Sequence, residues 1–265
     1  MIDLSVTSGL PIKIGPDNRL KFNQPLPDVE PQARTFEEMK SVLKDPDAKP
    51  PFDELYYMYR HVNFKEHQKV IEQAEVSYDI TVIPAGKIGD EYNKTVGHYH
   101  SVKSGTQFAY PEVYEVLHGK ALFLLQKMDP TFEDLITVIA MEASAGEKVV
   151  YPPNYGHIIV NIGDEVLVTS NWVGEKFERM YKPVNDRHGM SYYVIDDGKG
   201  GYKMVPNKHY GKHPAVRIID NKFMHRFEIM GSHKPMYLTG VNNPKSLEFL
   251  NFPEKYAVEL SSITS

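Results

Sequence analysis

The chain has 265 residues, of which 41% are hydrophobic and 25% charged, and its formal net charge is −5. This composition is typical of one large globular domain with or without an appendage, and it offers no basic field for a nucleic-acid partner. The lack of cysteine excludes disulfides, thiolate metal sites and a cysteine nucleophile. Neither a signal peptide nor a membrane-spanning run is recognisable, so we expect a cytoplasmic protein without a membrane partner.

The first part of the chain predicts an arm followed by one helix. Residues 1–34 are proline-rich and poorly periodic, and we expect them to run over the surface. At 35–45, Thr35 and Glu38 have the spacing of a capping box, and apolar residues recur behind them at helical spacing. We therefore assign an N-terminal arm and helix to 1–54.

From residue 55 onward the pattern changes to short strands. Runs rich in valine, isoleucine, tyrosine and leucine, such as "EVYEVLHGKALFLLQK" and "HIIVNIG", are separated by glycine, proline or acidic turns. They recur at intervals of roughly 10–15 residues, which favours a β-sandwich or barrel over alternating strands and helices. We place this all-β barrel at 55–182.

Beyond the barrel we expect an extension at 183–265. The segment "SYYVIDDGKGGYKMVPN" predicts a hairpin around its glycine-rich centre. Residues 214–265 contain a few short strand candidates and one weak helix, "NPKSLEFLNF". We expect this extension to cover an edge strand or to extend a subunit interface.

Four residues of the types that bind metal ions lie at the ends of predicted strands. His98 and His100 are two positions apart in an extended segment, so their imidazoles project to one face. Glu112 opens the next strand, and His157 follows a Pro-Pro-Asn-Tyr-Gly turn. Each signal alone is weak, because a strand histidine or glutamate is commonly structural. Together they predict a site for a divalent metal of intermediate softness, such as Fe, Mn, Zn or Ni.

The remaining histidines have no ligand-like spacing, and none is assigned to the predicted metal site. We expect His118 to lie in a surface turn and the run "NKHYGKHP", with His209 and His213, to form a solvated turn. The others are His61, His67, His188, His225 and His233.

The intervals between the ligand-type residues resemble the two motifs of the cupin superfamily. That resemblance implies a double-stranded β-helix, also called a jelly-roll barrel. Asn154 stands where many cupins have glycine, and asparagine also accepts left-handed turns. The positions that match the two motifs are His98, His100, Glu112, Gly119, Gly146, Pro152, His157 and Asn161.

A longer set of motifs is similar to the cupin-type glucose-6-phosphate isomerases, best known from archaea. The similarity rests on "TVIPAGKIGDEYNKTVGHYH", "PEVYEVLHGKALFLLQ" and "VVYPPNYGHIIVNIGDE". Two features depart from that family: the stretch 101–111 is longer, and the residues beyond 213 have no counterpart. The inserted loop lies next to the predicted site, where it is a candidate lid.

The family resemblance implies a homodimeric, metal-dependent enzyme that interconverts glucose 6-phosphate and fructose 6-phosphate through an enediolate. Glu112 would act as base and acid between C2 and C1, with a metal-assisted hydride shift as the rival mechanism. Fe(2+) is the first choice of metal, with Mn(2+), Zn(2+) or Ni(2+) as options. The implied metal ligands are His98, His100, Glu112 and His157. The implied groups around the sugar phosphate are Thr81, Thr95, Gly97, Tyr56, Tyr114 and Tyr181.

Two other functional classes remain open from the sequence. One is a different metal-dependent cupin enzyme, either a dioxygenase or a sugar epimerase. The other is a non-enzymatic, sugar-binding cupin like the seed-storage proteins. Oxygen consumption would support a dioxygenase, whereas a protein without bound metal or metal-stimulated activity would support the binding module. The residues do not discriminate glucose 6-phosphate from mannose 6-phosphate.

Overall fold

The computed structural model describes residues 1–220, 227–231 and 234–264. Its centre is built from two β-sheets, which confirms the predicted all-β jelly-roll barrel. In spatial order, the first sheet contains β13 (Lys148–Tyr151), β10 (Glu112–His118), β15 (Leu167–Gly174), β6 (Val76–Ile83), β5 (Glu54–Tyr59) and β4 (Gln32–Thr35). The second sheet contains β14 (Gly156–Asn161), β11 (Lys120–Met128), β12 (Leu135–Ser144) and β19 (Val216–Ile218).

Side chains from the two sheets meet in the barrel interior. The ring of Phe123 on β11 lies 5.8 Å, centroid to centroid, from the rings of both Tyr114 on β10 and Tyr151 on β13. Buried leucine, isoleucine and valine side chains fill much of the remaining core. Because side chains alternate along a strand, every second residue of the central strands faces this interior.

The N-terminal segment is more ordered than the expected surface arm. β1 (Ile2–Asp3), β2 (Ile12–Ile14) and β3 (Leu20–Phe22) form a small antiparallel sheet with buried apolar residues. β4 then joins the six-stranded sheet as its edge strand. The expectation of an arm that only runs over the surface is therefore wrong, because these strands are too short to produce a readable period.

The predicted capping box is present at the start of α2 (Phe36–Met39). The Glu38 backbone N–H donates to Thr35 Oγ1 at 3.4 Å, and the Thr35 N–H donates to Glu38 Oε2 at 2.8 Å. A 3-10 turn follows at Lys40–Val42, so this helical segment is shorter than the predicted 35–45. Other short helical elements in this half of the chain are α1 (Ser5–Ser8), a 3-10 turn at Lys65–His67 and α3 (Gln68–Ala74).

The hairpin predicted beyond the barrel is confirmed. It consists of β17 (Tyr192–Asp196) and β18 (Tyr202–Pro206), preceded by α4 (Lys182–Asn185). The hairpin continues into β8 (Glu91–Tyr92) and β7 (Lys87–Ile88) to make a small four-stranded sheet. β9 (Tyr99–His100) and β16 (Arg179–Met180) form a separate pair next to the barrel.

The C-terminal extension is mainly helical, whereas short strands were expected. Its helical elements are α5 (Glu228–Gly231), α6 (Met236–Asn242), a 3-10 turn at Pro244–Leu247, α7 (Glu248–Asn251), a 3-10 turn at Pro253–Tyr256 and α8 (Ala257–Ser261). The weak helix predicted at "NPKSLEFLNF" is thus present, and β19 is a strand of this region. The segmentation into 1–54, 55–182 and 183–265 stays a prediction.

The C-terminal helices cover the outer face of the six-stranded sheet. The ring of Tyr237 on α6 stacks on Trp172 of β15, with 6.0 Å between centroids and 6° between planes. Trp172 Nε1 also donates to the Met236 carbonyl at 3.1 Å. The extension also covers an edge strand, as expected, because β19 pairs along β12, while these helices bury the apolar outer face of the other sheet. No helix in the described part of the chain is long and apolar enough to cross a membrane.

Candidate metal centre and substrate pocket

The ligand-type residues come together because the ends of several strands meet at one point of the barrel. His98 and His157 form an antiparallel bridge, in which each backbone N–H donates to the other's carbonyl at 3.3 and 3.1 Å. His100 lies two residues on, in β9, and Glu112 is the first residue of β10. The two-residue spacing of the histidines thus directs both imidazoles toward Glu112, as the sequence predicts.

The four side chains form a compact cluster. One ligand atom from each of His98, His100, Glu112 and His157 lies within 4.8 Å of all the others. His100 Nε2 is 3.2 Å from His98 Nε2, and Glu112 Oε2 is 3.4 Å from His100 Nε2 and 3.5 Å from His157 Nε2. Three imidazole nitrogens and one carboxylate oxygen are a donor set that suits first-row divalent metals.

The protonation of the cluster also fits a metal ion. Burial lowers the pKa of His100 to about 3, and burial and the neighbouring histidines hold the pKa of His98 and His157 well below the usual range. Neutral imidazole is the form that binds metal. His157 Nε2 is buried without a hydrogen-bond partner, which is costly unless a ligand or ion satisfies it.

His100 is oriented by the inserted loop. Its Nδ1 lies 2.7 Å from the Tyr110 carbonyl, so Nδ1 carries the proton and the Nε2 lone pair faces the cluster. Lys103 of the same loop forms an ion pair with Glu254 at 2.7 Å, and the Ala109 N–H donates to Asn154 Oδ1 at 2.8 Å. The stretch 101–111, predicted as a candidate lid, therefore orients His100. The same stretch is attached to the C-terminal extension through the Lys103–Glu254 ion pair.

Glu112 combines deep burial with nearby positive charge. Burial raises the pKa of its carboxyl to about 7, while Arg179, a hydrogen bond with Tyr114 and Arg60 act in the opposite direction. A carboxyl with such a pKa can both accept and release a proton near neutral pH.

A small inner cavity brings the predicted substrate residues next to the cluster. Its volume is about 40 Å³. The predicted residues that line it are Thr81, Thr95, Gly97, Tyr56, Tyr114 and Tyr181, together with His98, Glu112 and His157. All six substrate-type residues predicted from the sequence therefore lie in one pocket with the metal-type group.

Local backbone contacts set the orientation of two of these residues. Thr95 Oγ1 accepts a hydrogen bond from the Ile159 N–H at 3.1 Å, which leaves the hydroxyl proton available to a ligand. Gly97 has φ +86, and a Cβ at this position would lie 2.5 Å from Ile158 Cγ2. Only glycine therefore allows the backbone to pass so close to β14 here.

The sequence analysis missed two arginines that line the same cavity, Arg60 and Arg179. The alternation of side chains along extended backbone would have identified them, because residues an even number of positions apart share a face. Arg60 is four residues from Tyr56, and Arg179 is two from Tyr181. Met58, Asn171 and Ile159 also line the cavity.

Of the histidines left out of the predicted site, His61 lines a neighbouring cavity, and His118, His188 and His209 lie away from the site. His118 Nε2 lies 3.2 Å from Glu165 Oε2, and the ring centroids of His188 and His209 are 4.3 Å apart near the hairpin, with 37° between the ring planes. His225 and His233 lie outside the described residues.

The family model for glucose-6-phosphate isomerase matches residues 33–211. The chain belongs to this family. The family assignment confirms the predicted resemblance and the expectation of an enzyme. The matched range ends before the C-terminal helices, which therefore lie outside the part shared with the family.

Named relatives agree with this assignment. A glucose-6-phosphate isomerase of Sinorhizobium medicae is 31% identical over 61% of this chain and 69% of that protein. A putative glucose-6-phosphate isomerase 1 of Rhizobium meliloti is 27% identical over 70% of this chain and 81% of the relative, and the Pyrococcus abyssi enzyme is 31% identical over 69% and 89%. Among solved structures, vicilin from Solanum melongena overlaps with 49% of this chain and 32% of that one, at 12% identity and a TM-score of 0.35.

Proposed function

We propose that this protein is a metal-dependent glucose-6-phosphate isomerase, which interconverts glucose 6-phosphate and fructose 6-phosphate by proton transfer through an enediolate. Family membership and the names of the relatives support the reaction. The observation that carries the proposal is the shared pocket, in which Glu112 adjoins both the imidazole cluster and the hydroxyl-bearing residues. The proposal includes a role in glycolysis and gluconeogenesis in the cytoplasm.

Glu112 is the proposed acid-base group. Its carboxylate takes the proton from C2 of the open-chain aldose and returns it to C1. The hydroxyl proton of the C2 oxygen passes to the C1 oxygen, and the carbonyl thereby moves from C1 to C2. Tyr114, two residues on along β10, lies on the same face and lines the same cavity. Glu115 cannot replace it, because Glu115 points to the other face of the sheet and accepts from the Met236 N–H at 2.8 Å.

The imidazole cluster is the proposed electrophilic centre. His98, His100 and His157, with Glu112, would hold a divalent cation, for which Fe(2+) is our first choice. Bound there, such an ion supplies Lewis-acid polarisation of the sugar oxygens that gain charge in the enediolate. Tyr110 and the backbone bridge at His98 keep the imidazoles in position through contacts that need no ion.

The hydroxyl groups are the proposed phosphate donors. Thr81, Thr95, Tyr56 and Tyr181, with the backbone N–H of Gly97, would bind the phosphate and so orient C1 and C2 beside Glu112. Binding energy from this remote group is available to position the reacting carbons. All of these residues line the same cavity as Glu112.

An isomerase assay on metal-loaded protein tests the proposed function. We expect conversion of glucose 6-phosphate after loading with Fe(2+), with Mn(2+), Zn(2+) and Ni(2+) as parallel samples and mannose 6-phosphate as the second substrate. No conversion of either sugar with any of these metals would contradict the proposal. Oxygen uptake in the same samples would instead point to a dioxygenase.

The family resemblance also leads us to propose a homodimer. Light scattering should then give about twice the chain mass of 30.3 kDa. A monomer at micromolar concentration would contradict this part of the proposal.

A further inference from the structure

The inner cavity is too small for a whole sugar phosphate. Its volume of about 40 Å³ leaves room for only a few water molecules, at ~10–15 Å³ for each, whereas small-molecule sites usually span ~300–1,000 Å³. A second cavity of about 570 Å³ adjoins it and shares four lining residues: Met58, Arg60, Arg179 and Tyr181. A ligand that reaches Glu112 must therefore extend into this second cavity, which we call the arginine chamber.

Three arginines line the arginine chamber: Arg34, Arg60 and Arg179. Arg179 has no ion pair with any described residue, and its guanidinium lies 4.8 Å from the centroid of the Phe177 ring. Arg34 forms an ion pair with Glu38 at 3.1 Å, but its Nε is buried without a hydrogen-bond partner. The chamber therefore offers guanidinium donors that the protein itself does not saturate.

Carboxylates in the chamber wall offset this charge only in part. Arg60 Nη1 donates to Asp79 Oδ2 at 2.5 Å. The other Asp79 oxygen accepts from the His61 N–H at 3.0 Å and from Ser77 Oγ at 2.6 Å, so Asp79 has little capacity for a further arginine. The second acid, Glu175, is 43% exposed and lies 3.6 Å from His61. Arg60 is thus paired with Asp79 and Arg34 with Glu38, whereas Arg179 has no carboxylate partner among the described residues.

Arg60 and Arg179 are the chamber arginines at the reacting end of the pocket, whereas Arg34 pairs with Tyr56 across β4 and β5 and lies 5.9 Å from the Tyr181 ring. Tyr56, Met58 and Arg60 share one face along β5 and its continuation, and about 13 Å of strand separates Tyr56 from Arg60. Tyr56 belongs to the hydroxyl-lined end of the pocket. Arg60 and Arg179 line the same inner cavity as Glu112. A sugar with its phosphate on the hydroxyl groups would bring its reacting carbons, and any group attached to them, toward Arg60 and Arg179.

We propose that the arginine chamber binds a second phosphate, carried on the reacting-carbon end of the sugar, so that hexose bisphosphates compete with the monophosphate substrates. A guanidinium pairs with phosphate through two parallel hydrogen bonds, a geometry that neutral sugar hydroxyls do not require. A 1-phosphate removes the free C1 group that isomerisation uses, and such ligands therefore occupy the pocket without turnover. This inference rests on the proposed function for the placement of the first phosphate.

Calorimetry on the metal-loaded protein tests the arginine chamber directly. The two probes are fructose 1,6-bisphosphate and fructose 6-phosphate, titrated in the same buffer. We expect the bisphosphate to bind about tenfold more tightly, the effect of one additional charge-assisted contact. Arg179→Gln should lower the ratio of the two affinities several-fold, and Arg179→Lys should lower it less.

Arg217→Gln is the matched control, because Arg217 is exposed, donates to the Thr264 carbonyl and lies outside the chamber. It should leave the ratio unchanged. A wild-type ratio of one or below would overturn the chamber proposal, and so would an equal loss of both affinities in Arg179→Gln. This readout requires no turnover: a tenfold ratio without isomerase activity would contradict only the proposed function, whereas activity with a ratio of one would contradict only the chamber.

Discussion

Glu112 and Glu115 lie on the same strand, three residues apart, and point to opposite faces of the six-stranded sheet. Both are buried, with residue exposures of 3% and 2%. Burial raises the pKa of each carboxyl to about 7. Burial and pKa alone therefore do not distinguish the two carboxylates.

Their partners do distinguish them. Glu112 faces imidazole nitrogens at 3.4 and 3.5 Å and a cavity that continues toward solvent. Glu115 accepts from the Met236 N–H on the C-terminal helices, and its other oxygen lies 3.4 Å from Lys148 Nζ. The inner face of this sheet therefore presents a carboxylate to a ligand, while the outer face uses one to attach the extension.

The largest expected effect concerns the imidazole cluster on the inner face. His98→Ala or His157→Ala removes one of four converging ligand atoms, so each variant should lose the metal and nearly all activity. The fold should remain, because the barrel core does not depend on these side chains. Metal analysis and circular dichroism, measured with the isomerase assay, check all three outcomes.

His118→Ala and His209→Ala are the matched controls for these variants. Both should keep metal and activity, since His118 pairs with Glu165 and His209 lies near the hairpin. If His118→Ala loses its metal while remaining folded, the ligand assignment is incorrect.

The next effect concerns the outer face. Tyr237→Ala removes a ring that contacts Trp172 and Tyr78 and a hydroxyl that accepts from the Phe64 N–H at 3.0 Å. We expect the free energy of unfolding to fall by about 3–5 kcal/mol in urea titrations. Phe252→Ala, at a half-exposed position, should cost less. Equal stabilities of the wild type and Tyr237→Ala would show that the extension is not part of the cooperative fold.

The smallest effect is the pH dependence of stability that Glu115 produces. Because burial raises its folded-state pKa from 4.5 to about 7, the folded protein holds this proton more tightly than the unfolded chain does. Its contribution to stability is thus complete below pH 4.5 and is lost as the pH rises through 7. Glu115→Gln keeps an acceptor for Met236 and should reduce this decline in urea titrations at several pH values. If stability declined with pH just as steeply in Glu115→Gln, the role assigned to Glu115 would be contradicted. Glu30→Gln, at an exposed position, is the control.

Local sequence patterns were sufficient to predict many strands of the barrel and the cluster of three histidines and Glu112. Alternation in "EVYEVL" and the two-residue spacing of His98 and His100 are read directly from the chain, because a strand repeats every two residues. The capping box at Thr35 is equally local. Strand order is not local, and the arginine chamber depends on it: Arg34, Arg60 and Arg179 come from segments that only the folded sheets bring together.

Short strands were predicted where the C-terminal helices lie, and the reason for this error is the length of the helices. Each α-helix after β19 has seven residues or fewer, within the described part of the chain, and such pieces show no helical period in the sequence. Their stability comes from packing on Trp172 and Tyr78, and the sequence gives no sign of that partner surface.

The central claim is that Glu112 moves the proton, and the activity of metal-saturated Glu112→Gln tests it most directly. Glutamine keeps the size and one possible ligand oxygen but accepts no proton at neutral pH. We expect a loss of about 10²–10⁴-fold in kcat even with the site fully loaded, while Glu115→Gln keeps its activity. Full activity of the loaded Glu112→Gln enzyme would contradict the claim and leave the hydride shift.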